Sequence, residues 1–277
     1  MRCRHRTRVG RGSNVLVNGA TALENVRFKD FTDYLEFRWY VNGKQRLTAR
    51  LATPNAAGKL RGLYMLEAFD PRKIPVVLVH GLWSSPETWT EMLNDLRSLP
   101  EIRNRYQFWA YAYPTGQPFW YSATQMRDDL QAVRNTIDAD RRWPALSEMV
   151  LVGHSMGGLV SKLQTVDSEN AFWATVSDHP FDELKADGEI RQSLGCTFFF
   201  QPNSSIRRVV MIGTPHRGSH FSNDLTRWLG RKAISLPSKL LAGQQQIITQ
   251  NAGYFRKGNP LDITTSIDSL DPTSPFV

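Results

Sequence analysis

Met149-Val150-Leu151-Val152-Gly153-His154-Ser155-Met156-Gly157-Gly158 is the stretch that decides how this chain folds. Four apolar residues run into Gly-x-Ser-x-Gly, and Leu159, Val160 and Leu163 then recur at helical spacing. The pattern predicts a strand, a sharp turn and a helix, with Ser155 at the apex. A serine hydroxyl is a poor nucleophile unless it stands clear of the sheet within reach of a base, and flanking glycines let the strained turn form without Cβ clashes. Met156 then opens the helix with its backbone N–H free to hold an oxyanion. The alternative is a tight strand-to-helix turn that merely contains a serine. The apolar strand before it and the helix after it favour the nucleophile.

Working outward, Ile74-Pro75-Val76-Val77-Leu78-Val79 is a continuous apolar run of the kind found in a parallel strand covered on both faces. It delivers His80-Gly81-Leu82-Trp83 to the strand's C-terminal edge, where open α/β sheets place their ligands. Acyl transfer builds negative charge on the former carbonyl oxygen, and a second donor beside Met156 would complete an oxyanion hole. Leu82 N–H is the candidate, because the His-Gly before it permits close backbone approach. His80 lies on an inner strand end ahead of the nucleophile and reads as a structural histidine rather than a base.

Ser85 is expected to cap a helix with Pro86 at its first position and Trp89, Met92, Leu93 and Leu96 as its buried stripe. Tyr106 to Tyr113 reads as another strand, closed by Pro114. Ser122 with Gln125 makes a capping-box pattern for a helix whose stripe is Met126, Leu130, Val133 and Ile137. This βαβα alternation places the chain in the α/β class, with a mostly parallel sheet flanked by helices. Upstream, residues from about 25 to 70 alternate apolar and polar positions, with Asn42-Gly43 as a hairpin turn.

The 277 residues are 41% hydrophobic and 22% charged, the composition of an ordinary globular domain, and no window approaches a membrane-spanning run. The net charge of +8 suggests nucleic acid until it is located. Arg2, Arg4, Arg6, Arg8 and Arg11 account for five of the 34 basic residues, and the remaining 29 stand against 26 acidic ones. The excess belongs to a basic arm over residues 1–20, read as disordered, ahead of one domain over 21–277. No nucleic-acid partner is expected. No apolar h-region follows the basic start, so the sequence carries no signal peptide and the default location is cytoplasmic. Cys3 and Cys196 belong to no Cys-x-x-Cys pair or Cys/His spacing, so neither a disulfide framework nor a zinc site is expected.

Three segments together resemble the α/β-hydrolase superfamily in its bacterial lipase/esterase-like branch: Ile74 to Leu82, Val152 to Gly158, and Ile212-Gly213-Thr214-Pro215-His216-Arg217-Gly218-Ser219. The resemblance implies Ser155 as nucleophile, Leu82 and Met156 as oxyanion donors, a small or lipid-like ester as substrate, no metal and no organic cofactor. It also implies that His216, after the strand Val209–Ile212, supports the site rather than acting as base. Between Val166 and Arg207 the aromatic-rich stretch with Phe172, Trp173, Phe181 and Phe198 to Phe200 stands where such proteins carry a lid, here at about 167–206. An insertion with its own small core is the alternative.

Apolar residues from Phe221 to Ile247 suggest further helices, followed by a loop. A serine hydrolase of this order needs an acid and then a histidine beyond the nucleophile. The last histidine is His220, and Asp262, Asp268 and Asp271 lie in a loop-like segment with no apolar strand after it. Acid and base are therefore unassigned. The expectation is a fragment lacking the last two strands, with an unpaired sheet edge and exposed apolar surface.

Overall fold

The computed structural model describes residues 61–217 together with 247, 250, 251, 253–256 and 270. The basic arm, the Asn42-Gly43 hairpin and most of the expected later helices lie outside these residues. β1 (Gly62–Met65), β2 (Ile74–Val79), β3 (Tyr106–Ala112), β4 (Met149–His154) and β5 (Ile206–Ile212) form one sheet in the order β1-β3-β2-β4-β5. β1 runs antiparallel to β3, and the other pairings are parallel.

α1 (Thr90–Ser98) and α2 (Pro100–Arg105) join β2 to β3, and α3 (Phe119–Ile137) leads to β4. α4 (Met156–Lys162) follows β4, while α5 (Ala171–Ala174) and α6 (Gly188–Phe198) precede β5. The period-two alternation of β2 sorts its side chains between two cores. Val77 and Val79 pack with Met126, Leu130, Met156 and Val160 of α3 and α4. Val76 and Leu78 pack with Phe108, Val152 and Trp89, flanked by the half-buried Met92, Leu93 and Leu96. Val77, Leu78 and Val79 are fully buried, each contributing about 1.5–3 kcal/mol relative to exposure. This two-sided burial fixes where β2 ends.

One helix start agrees with the sequence reading in position but not in kind, and a second differs. Pro86–Trp89 is a 3-10 turn, with no side-chain cap from Ser85, and the α-helix proper begins at Thr90. α3 begins at Phe119, a turn ahead of the Ser122–Gln125 box. The reason is burial: Phe119, Trp120 and Ala123 extend the apolar stripe toward the N-terminus, and Ser122 is itself buried, accepting a hydrogen bond from Gln117 Nε2 at 2.9 Å.

Residues between α4 and β5 leave the sheet and build a second core from Trp173, Val176, Phe181, Leu184, Leu194 and Phe198, joined by Ile247. The ends of this excursion are pinned together. Ser168 N–H donates to Phe200 O at 3.0 Å, and Phe200 N–H donates to Ser168 Oγ at 2.8 Å. Cys196, on α6, is disulfide-bonded, which its spacing in the sequence did not announce. Among the described residues β5 is an edge strand, with Val210, Met211 and Ile212 each more than 40% exposed. No helix among them is long and apolar enough to cross a membrane.

Sheet order also decides where the loops part. From β2 the chain steps to β3 on one side, and β4 then returns to the other side of β2. Loops leaving β2 and β4 therefore diverge, and a crevice opens at their C-terminal ends. Val79 stands opposite Gly153 in the register, so residues 80–82 and 154–155 emerge side by side.

Candidate active site

Ser155 sits between β4 and α4 with φ +52° and ψ −124°, a left-handed conformation for a residue with a side chain. Such a backbone costs on the order of 1–3 kcal/mol and persists only where its surroundings enforce it. Here they do. Ser155 N–H donates to Ile212 O of β5 at 2.8 Å, and Gly158 N–H donates to Ser155 O at 3.0 Å. The glycines let three layers of backbone close on one another. A Cβ at Gly153 would lie 2.5 Å from Gly157 O, one at Gly157 would overlap the carbonyls of Val79 and His80, and one at Gly158 would overlap the Thr214 side chain.

The loop after β2 meets the elbow at Gly81. A Cβ there would lie 2.9 Å from Ser155 Cβ and 3.1 Å from His154 Nδ1. Within this loop the backbone donors are unequally engaged. Trp83 N–H donates to Thr115 Oγ1 at 3.3 Å, and Ser84 N–H donates to Gly81 O at 3.3 Å. Leu82 N–H has no hydrogen-bond partner among the described residues, and neither has Met156 N–H at the first position of α4. Two free backbone donors thus belong to the loop that meets Ser155 and to the residue that follows it. Trp83 also has a positive φ, +54°, with its indole 38% exposed.

Histidine is placed differently at each position. His80 is 1% exposed, its ring stacked on Tyr113 at 4.5 Å, and burial pushes its pKa down from 6.5 to about 4. It is neutral near pH 7. His154 is exposed, edge-on to Trp89 at 6.4 Å. His179 belongs to the excursion, stacked on Tyr254 at 4.9 Å. His216 is exposed, and the loop that carries it reaches the elbow through Thr214 rather than through the imidazole. Among the described residues no side chain hydrogen-bonds the Ser155 hydroxyl.

A cavity of about 500 Å³ in the excursion, lined in part by Asp178, His179, Phe181, Asp182, Phe199 and Arg256, includes neither Ser155 nor Leu82. Free donors and backbone geometry distinguish the elbow. Among the described residues no group of three or more histidine, cysteine, aspartate or glutamate side chains could hold a metal ion. Thr115, which engages Trp83 N–H, carries no signal in the sequence, since its role depends on the loop after β3 lying beside the loop after β2.

Residues 76–253 match the model of the alpha/beta hydrolase family. The chain belongs to this family. No curated protein matches the sequence. Among solved structures, this hydrolase-family chain is similar to a lipase of Bacillus licheniformis. Against the propeptide form it shows 19% identity over 74% of the chain and 31% of that protein, with a TM-score of 0.36. Against the mature form the values are 18%, 68%, 63% and 0.33. A lipase-esterase related protein from Clostridium acetobutylicum is 12% identical over 75% of this chain and 69% of its own, with a TM-score of 0.32. The chain spans less than two thirds of either form of the Bacillus lipase.

Proposed function

We propose that this chain carries the nucleophile and the oxyanion hole of a carboxylic-ester hydrolase, acting on a small or lipid-like ester through an acyl-enzyme on Ser155. The observation that supports the reading is Ser155 at φ +52°, with Gly81 against it and with Leu82 N–H and Met156 N–H engaged by nothing among the described residues. In this mechanism Ser155 Oγ attacks the ester carbonyl carbon and loses its proton to a general base. The carbonyl oxygen becomes an oxyanion between the two N–H groups. Collapse of the tetrahedral intermediate expels the protonated alcohol, and water then releases the acid by the same route. The histidine and the carboxylate that complete this chemistry are not assigned to any residue. The excursion over about 167–206 is the lid-like element of the reading, its aromatic side chains suited to an acyl chain.

The test is hydrolysis of p-nitrophenyl butyrate and covalent labelling by a fluorophosphonate, on wild type and Ser155→Ala. The reading expects both activities in wild type and neither in the variant. Equal turnover in Ser155→Ala would end the assignment, and a wild type that neither hydrolyses nor labels would identify the elbow as inactive in this chain.

A further inference from the structure

We infer that the cavity of about 500 Å³ in the excursion binds a primary ammonium ion carried on a small apolar body, as in an arylalkylamine. Its volume is that of a small-molecule pocket. One side is apolar. Phe181 and Phe199 stand edge to face at 5.1 Å and line the cavity together with Ala174 and Pro180. Trp173 packs 4.9 Å from the Phe181 ring, and its Nε1–H donates to His179 O at 2.7 Å. A wall of this kind takes an apolar body by burial and a cation through the ring quadrupoles.

The polar rim decides the charge of the ligand. Arg256 is committed: its Nε donates to Asp178 Oδ1 at 3.0 Å, its Nη2 donates to the same oxygen, and its backbone N–H donates to Val176 O at 2.9 Å. Arg191, 5.9 Å from the centre of the Phe181 ring, donates to Asp182 O and Leu184 O. The His179 ring stacks on Tyr254, with its Nδ1 3.9 Å from Glu183 Oε2. Both guanidinium groups are thus satisfied, and what remains is acceptors. The exposed Asp182 carboxylate makes no hydrogen bond or ion pair among the described residues, and Asp178 Oδ2 accepts no bond. The hydrogen bond from Arg256 holds the Asp178 carboxyl below its ordinary range, so that side chain is ionised near neutral pH.

A ligand that completes this rim must donate. An ammonium does so best, with three N–H donors, a positive charge and no acceptor. An anion would meet two carboxylates with no guanidinium to spare. The loop carrying the rim is fixed in advance, because Ser177 Oγ–H donates to Tyr254 O at 2.6 Å and Ser177 Oγ accepts His179 N–H at 3.0 Å. Binding therefore costs little ordering of the protein. Neither Ser155 nor Leu82 lines the cavity, so the inference does not rest on the Ser155 reading.

The test is calorimetric titration of the full chain with 2-phenylethylammonium near neutral pH, beside 2-phenylethanol and 3-phenylpropionate. These keep the ring and replace the positive charge with none or with a negative one. Saturable binding of the ammonium is expected with Kd on the order of 1 mM or tighter, about tenfold weaker binding of the alcohol, and none of the carboxylate. Asp182→Asn should weaken the ammonium ~3- to 10-fold. Phe199→Leu, which keeps apolar volume but removes the ring, should weaken it by a similar factor. Ser155→Ala should bind as wild type does.

Absence of saturable ammonium binding would overturn the inference, as would equal affinity for the alcohol or a preference for the carboxylate. So would an Asp182→Asn protein with wild-type affinity, or loss of binding in Ser155→Ala, which would place the probe at the elbow. If Phe199→Leu fails to fold, Asp182→Asn decides alone, because its carboxylate is exposed and bonded to nothing among the described residues.

Discussion

Lowering the pH should destabilise this protein through His80, by an amount that follows from its burial. The imidazole has an ordinary pKa of 6.5 in the unfolded chain and one of about 4 in the folded protein, chiefly because burial penalises its charge, with the Gly81 O contact and Glu87 opposing. Between those values the unfolded chain binds a proton that the folded chain does not. Stability therefore falls as pH falls from 6.5 to about 4. At 1.36 kcal/mol per unit the gap amounts to ~3 kcal/mol, a sizeable part of the 5–15 kcal/mol typical of a domain.

The assay is urea unfolding at half-unit steps from pH 7.5 to 4 on wild type and His80→Asn, which does not titrate. Taking the difference removes contributions from other groups, because distant sites add. The variant should gain on wild type by ~3 kcal/mol across the window, with nearly all the change below pH 6.5. Parallel curves would refute the assignment of a depressed pKa to His80 and with it the buried, neutral ring on which the loop geometry depends.

Asp129, buried on α3 with Arg61 3.5 Å away, gives a slope of the opposite sign. Burial pushes its carboxyl up from 3.8 to about 6, so wild type should lose ~3 kcal/mol as pH rises through that range while Asp129→Asn does not; identical pH profiles would count against it. Gly157→Ala should cost ~1–3 kcal/mol or more, read as a fall in Tm, because its methyl would meet the backbone carbonyls of Val79 and His80, which cannot rotate away. Gly188→Ala, with nothing within 4 Å of the added carbon, is its control. A Gly157→Ala protein as stable as that control would show that α4 does not press on the loop after β2 as described.

Legibility from sequence followed the range of the interactions. β2 and β4 could be read because both are apolar runs buried on two faces, and the elbow because Gly153 meets the backbone of Gly157 and Gly158 only a few residues on. The helical segment after Ser85 starts at Pro86 as its sequence predicts, though as a 3-10 turn without a side-chain cap, whereas α3 starts a turn ahead of Ser122 because Phe119 and Trp120 are buried against the sheet. Acid and base left no signal among residues of the right order after Ser155.

What the sequence determined by itself was the strands of the parallel sheet and the place of Ser155 at a strand-to-helix turn, because both depend on side-chain periodicity and on backbone sterics within a few residues. Tertiary structure decided the rest. That Leu82 N–H and Met156 N–H stay free while Trp83 N–H is taken by Thr115, and that a buried His80 grips the next residue's carbonyl, follow only once β2 lies between β3 and β4. Hydrogen bonds between residues far apart in the chain have no period to read. They exist only where the sheet brings its loops together.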